Sequence, residues 1–175
     1  MIVKEESLIK FIPSNHNHPL DVPYYHRKDD VMIEQDTIRL LKECDAGVKM
    51  GISSIEDVLD EVNDSHFKKI LIQQKQDHQQ LLDELNQQLN KYHDTGKNPD
   101  PIAKSMSWMK TKMMLMVSDK DATIADLMSD GAAMGVKSLA KYLNQYQAAD
   151  EKSKDIAKRL ILLEELLLKQ IQKYL

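Results

Sequence analysis

The sequence predicts an all-α fold of two long helical hairpins, and three observations carry that reading. Leu, Lys, Gln, Glu and Met abound while β-branched residues are few and aromatics make up 5% of 175 residues, a helix-favouring composition. Apolar residues recur at three- and four-residue steps through most of the chain, the spacing of one helix face. The five prolines stand at Pro13, Pro19, Pro23, Pro99 and Pro101, leaving proline-free stretches over 24–98 and 102–175 of almost equal length.

The elements follow in order. Residues 1–33 form an arm, with Ile2, Val3, Leu8, Ile9, Phe11 and Ile12 ahead of a Pro- and Asn-rich stretch that favours turns and extended backbone. The bundle domain is expected over 34–175, as hairpins 34–93 and 121–175 joined by a crossover over 94–120. Leu41, Cys44, Val48, Ile52, Ile55 and Val58 line the first helix, which breaks at Asn63-Asp64-Ser65, where short polar side chains compete for the backbone. Phe67, Ile70, Leu71, Leu81, Leu85 and Leu89 line the second, which ends near Tyr92. Asp100-Pro101 opens a short crossover helix striped with Met106, Met109, Met113 and Met116. A further helix carries Ile124, Leu127, Met134, Leu139 and Tyr146, and a last one Ile156, Leu160, Leu163, Leu167 and Ile171. Their short joint at 147–150 makes them an antiparallel pair.

An offset of 84 residues lays Gly47-Val48-Lys49-Met50-Gly51-Ile52 over Gly131-Ala132-Ala133-Met134-Gly135-Val136, and Leu59 over Leu143. The second hairpin therefore reads as a copy of the first. Two Gly-x-x-x-Gly pairs at equivalent places, each glycine unfavourable in a helix by ~1 kcal/mol, suggest a tight crossing between the two first helices. A crossover helix of about 17 residues, ~25 Å at 1.5 Å per residue, can run most of the length of the bundle. The second and third long helices would then lie parallel.

On Leu40-Leu41-Lys42-Glu43-Cys44-Asp45-Ala46-Gly47, Ile124-Ala125-Asp126-Leu127 and Lys141-Tyr142-Leu143, the chain resembles the ferritin-like four-helix bundles over 34–175. It is most similar to small bacterial ferritin-like proteins of unknown function, and more weakly to spore coat proteins with the same bundle. The resemblance implies carboxylates from two helices and a Glu-x-x-His from each of the other two, converging on two metal ions. The sequence departs from that pattern. Lys75 stands three residues before His78, and Leu167 and Leu168 stand three after Glu164 and Glu165. The 84-residue offset lays His78 on Leu162. Asp45 also lies about five residues farther from the first turn than His78, a mismatch of ~7 Å along the axis.

A reduced site remains open, with Asp45, His78, Asp130 and Glu164 as candidate ligands for iron, manganese or zinc. Gln74, Asp77 and His78 interrupt an apolar seam, so they form either part of a ligand set or a hydrogen-bonded network. Cys44 on the apolar face reads as a small hydrophobe, and as the lone cysteine it excludes a disulfide. His16, His18 and His26 are loop histidines that could also chelate a metal. The Met stripe with Trp108 reads as core or subunit-interface packing, and Lys104, Lys110 and Lys112 beside it permit weak membrane-surface contact.

No phosphate-binding glycine loop, nucleophilic Ser motif or paired CxxC is present, and a formal charge of −4 gives no reason to expect nucleic acid. The acidic start and the absence of a long apolar run predict a cytoplasmic protein with no signal peptide or transmembrane segment. Two functions are expected as alternatives. One is a non-catalytic structural or interaction protein, working as a homo-oligomer. The other is a metal-binding redox or storage protein with a non-standard site.

Overall fold

The computed structural model describes residues 24–98 and 120–175, with side chains from residue 29. Four α-helices make up the described residues, with no strand among them. They are α1 (Tyr24–Leu59), α2 (Ser65–Lys91), α3 (Lys120–Gln145) and α4 (Glu151–Ile171), the last followed by a 3-10 turn over Gln172–Tyr174. The expected crossover helix with its Met stripe, and His16 and His18 of the arm, lie outside the described residues, whereas His26, expected in a loop, falls in the first turn of α1.

The starts of α2 and α4 have a local cause. Asp64 is extended, and its carboxylate accepts from the His66 and Phe67 backbone N–H groups, satisfying donors that open a helix. Asp150 does the same for Ser153. The polar run at 63–65 is thus a cap, which explains why one helix stops there and the next begins.

The N-terminal boundary is corrected. α1 begins at Tyr24, ten residues before the start of the expected bundle domain. No Pro or Gly stands between Tyr24 and Gly47 to stop a helix. Burial begins only at Thr37, and residues 29–35 are all exposed. The apolar period therefore marked where packing starts rather than where the helix does.

Hydrogen bonds fix the direction of each helix. At one end, the Asp121 carboxylate accepts from the Asn63 and Asp64 backbone N–H groups, both at 2.8 Å, joining the starts of α2 and α3. The end of α4 arrives there too, with Tyr174 donating to Asp64 at 3.0 Å and stacking on Phe67. At the other end, the Asp150 N–H donates to Thr37 Oγ1 at 2.8 Å, and Tyr92 donates to Asp150. α1 and α2 are therefore antiparallel, as are α3 and α4, while α2 and α3 run parallel. α1 packs on all three other helices and α4 on α2, whereas the backbones of α2 and α3 make no close approach along their length.

The interior divides along the bundle into two apolar clusters. One, at the α2 N-terminal end, includes Ile55, Val58, Phe67, Leu71, Ile124 and Leu167. The other includes Leu41, Val48, Leu85, Leu139, Ile156 and Leu160. Among the described residues, no helix is long and apolar enough to cross a membrane.

Candidate functional site

Between the two clusters lies a layer to which each helix contributes one position: Gly51 from α1, His78 from α2, Gly135 from α3 and Glu164 from α4. His78 and Glu164 are buried, at 1% and 8% exposure. His78 Nε2 lies 3.3 Å from Glu164 Oε1, and His78 Nδ1 lies 2.8 Å from the Gln74 carbonyl oxygen. A carbonyl only accepts, so Nδ1 carries a proton and donates it. The contact to Glu164 then needs a second proton, held either by the imidazole or by the carboxyl. The two side chains share one proton across the bundle core.

The electrostatics agree with this geometry. Burial opposes a charge on the His78 ring. The hydrogen bond and charge of Glu164 outweigh it, helped by the Gln74 carbonyl and nearby Asp77, and His78 titrates above the ordinary imidazole range.

The glycines make the layer possible. A Cβ on Gly51 would stand 2.8 Å from the His78 ring, so only glycine leaves room for the imidazole. A Cβ on Gly135 would stand 3.5 Å from the Glu164 carboxyl, an ordinary contact. Among the described residues, a Cβ on Gly47 would meet a Leu160 methyl at 3.6 Å and one on Gly131 nothing within 4 Å. The expected tight crossing of the first helices is therefore corrected. What Gly51 and Gly135 face is the polar pair on α2 and α4, not another helix backbone.

Of the four candidate ligands, His78 and Glu164 come together and the other two do not join them. Asp130 is exposed on α3, because the buried stripe passes through Leu127, Met128 and Ala132 and leaves residue 130 on the outer side. Asp45 is fully buried but sits elsewhere, six residues before Gly51, or ~9 Å along the axis. There its Oδ2 accepts from Lys49 Nζ at 2.7 Å and from the Lys97 backbone N–H at 2.9 Å. Gly96, at φ +81°, presses its backbone against that carboxylate, where any side chain would collide. Asp45 thus fastens the loop after α2 to α1. Asp94 helps by accepting from Lys42 and from the Gly96 N–H.

Among the described residues, no three His, Cys, Asp or Glu side chains gather closely enough to hold a metal ion. A two-metal centre would need donors from α1 and α3 at the level of His78, and glycines stand there instead. The residues present do not fit such a centre. Cys44 is buried, and burial, with Glu43 and Asp45 beside it, pushes its thiol up to about 12. It is neutral and no nucleophile. Gln74 is buried beside the layer, donating to Gln170 at 3.3 Å, with its own Oε1 unbonded.

Sequence reasoning missed the equivalence of His78 and Glu164. The 84-residue offset pairs buried His78 with Leu162, which is 61% exposed. The caps Asp64 and Asp150 are 86 positions apart, and at that offset Phe67, Ile70, Leu71, Gln74, His78, Leu81 and Leu85 fall on buried Ser153, Ile156, Ala157, Leu160, Glu164, Leu167 and Ile171. In α1 and α3, by contrast, 84 holds: Leu40, Leu41, Cys44, Val48 and Ile55 fall on buried Ile124, Ala125, Met128, Ala132 and Leu139. Two extra residues before the second turn shift the register. Aligning the two Asp caps was the available signal.

No protein-family model, curated protein or solved structure matches the chain.

Proposed function

We propose that the chain is a ferritin-like bundle working as a non-catalytic structural or interaction protein of the cytoplasm, assembled as a homo-oligomer and lacking an intact di-iron site. The parallel course of α2 and α3, with one long connection between two antiparallel hairpins, supports the ferritin-like arrangement. The matching burial of the two hairpins supports an internal repeat. The observation that carries the functional reading is the central layer. Its two donor side chains among the described residues are bonded to each other, and glycines occupy the facing positions on α1 and α3. Such a pair joins α2 to α4 across the core without presenting a vacant set of donors.

The second reading, a metal-binding protein with a reduced site, draws support from the same contact, since His and Glu are ligand types on facing helices. Elemental analysis of protein purified without chelator separates the two. Metal far below one equivalent, unchanged in His78→Ala, is expected. Near-stoichiometric iron, manganese or zinc that disappears in His78→Ala would overturn the structural reading.

Assembly has a candidate contact. Thr37 meets the α3–α4 loop, so α1 projects about 12 residues, or ~18 Å, beyond it. Val31, Met32 and Ile33 stand 48%, 57% and 42% exposed on that projection. Three large apolar side chains left exposed together on one projecting turn favour a covering copy.

A further inference from the structure

At offsets of 84 residues for α1 against α3 and 86 for α2 against α4, the two hairpins present the same pattern of buried positions to each other, and His78 and Glu164 are equivalent positions that meet. The contact between the hairpins therefore has the geometry of a two-fold pair of like surfaces, in which a position meets its own counterpart. Apolar positions are indifferent to which copy they meet. The central one is not. In a pair of two first hairpins His78 would face another His78, and in a pair of two second hairpins Glu164 would face another Glu164. Two buried carboxylates repel when both are charged, as do two imidazolium ions, and neither like pair has the opposite charges that His78 and Glu164 bring together.

We propose that His78 and Glu164 are a pairing key: they make the inner face of hairpin α1–α2 complementary to that of hairpin α3–α4 and not to a copy of itself. The partner this face fits is the opposite hairpin, from the same chain or, by exchange, from a second copy. The structure supports both halves of the key. Each member stands against a glycine, Gly51 beside His78 and Gly135 beside Glu164, so neither faces a bulky side chain on α1 or α3. Each also lies on a helix whose carbonyl four residues earlier, that of Gln74 or of Leu160, is placed to orient an imidazole. The 22 residues between Lys97, held by Asp45, and Lys120 reach ~75 Å extended, nearly twice the length of α2, so chain length does not forbid exchange.

The test uses full-length chains carrying H78E, E164H or both. H78E and E164H each place like groups at the centre and raise the unfolding equilibrium constant about tenfold to a hundredfold. The double swap restores it to within about threefold of the wild type. Refolded together in equal amounts, the two single variants form a mixed dimer by exchange. In one of its bundles the new carboxylate at position 78 meets the new imidazole at position 164, and in the other His78 meets Glu164. Native mass spectrometry shows that dimer above the half share that random pairing gives, and the mixture is more stable than either variant alone. A merely structural role would give no more than that half share of the mixed species. The key is overturned if the single variants match the wild type, if the double swap is no better than the worse single variant, or if the mixture shows no excess of mixed dimer. A single variant that fails to fold leaves the swap and the mixture as the deciding readings.

Discussion

At the scale of the residue, three glycines in similar helical settings differ only in what stands opposite them. Gly51 faces an imidazole at a distance no Cβ tolerates, Gly135 faces a carboxyl at ordinary contact, and Gly131 faces nothing within 4 Å among the described residues. Gly51→Ala is therefore expected to cost about 1–3 kcal/mol through displacement of His78. Gly131→Ala removes only a helix penalty and is expected to stabilise by ~0.5–1 kcal/mol, with Gly135→Ala between the two. Thermal unfolding of the three variants checks the order, and a Gly51→Ala protein as stable as Gly131→Ala contradicts the layer. These identities were only half legible in the sequence. The glycines stood out by spacing, but the spacing of a helix does not say which neighbour it faces. Asp130 failed for a related reason, since one residue turns a helix position by ~100° and an acid beside a seam points away from it.

At the scale of the element, the extent of the helices was well signalled where a cap or an apolar period marked it. Asp64 and Asp150 start α2 and α4, and the stripes through Phe67 to Leu89 and Ile156 to Ile171 are those the sequence implies. The start of α1 was not legible, because the helix runs from Tyr24 while residues 29–35 bury no face, and periodicity reports burial alone. That exposed end is where assembly is expected. Met32→Glu with Ile33→Glu should lower the mass seen by sedimentation while leaving the melting of the separated chain unchanged, and an unaltered mass would contradict an interface there. The connection after α2 depends on the Asp45 grip. Gly96→Ala introduces a side chain at positive φ against a buried carboxylate and is expected to cost about 2 kcal/mol or more. Limited proteolysis should then cut the loop at 92–98 first, and unchanged resistance would contradict the anchoring role of Asp45.

At the scale of the whole molecule, two apolar clusters supply cohesion and the layer between them supplies identity. A buried charged pair is weak evidence for stability and better evidence for register, because removing one member leaves the other unpaired. Here the pair also sets a pH dependence. His78 has a folded pKa above its unfolded value, so its contribution is complete below the unfolded value near ~6.5 and is lost as pH rises through the folded one. The stability of the bundle should decline over that interval and do so less in Glu164→Gln. The most direct measurement is the titration of the His78 imidazole by NMR, with and without one equivalent of zinc. A closed proton-sharing pair predicts a pKa above the ordinary imidazole range, lowered in Glu164→Gln, where only the Gln74 carbonyl and Asp77 oppose burial, and a resonance unmoved by zinc. An ordinary or depressed pKa, or a resonance displaced by stoichiometric zinc, would contradict it.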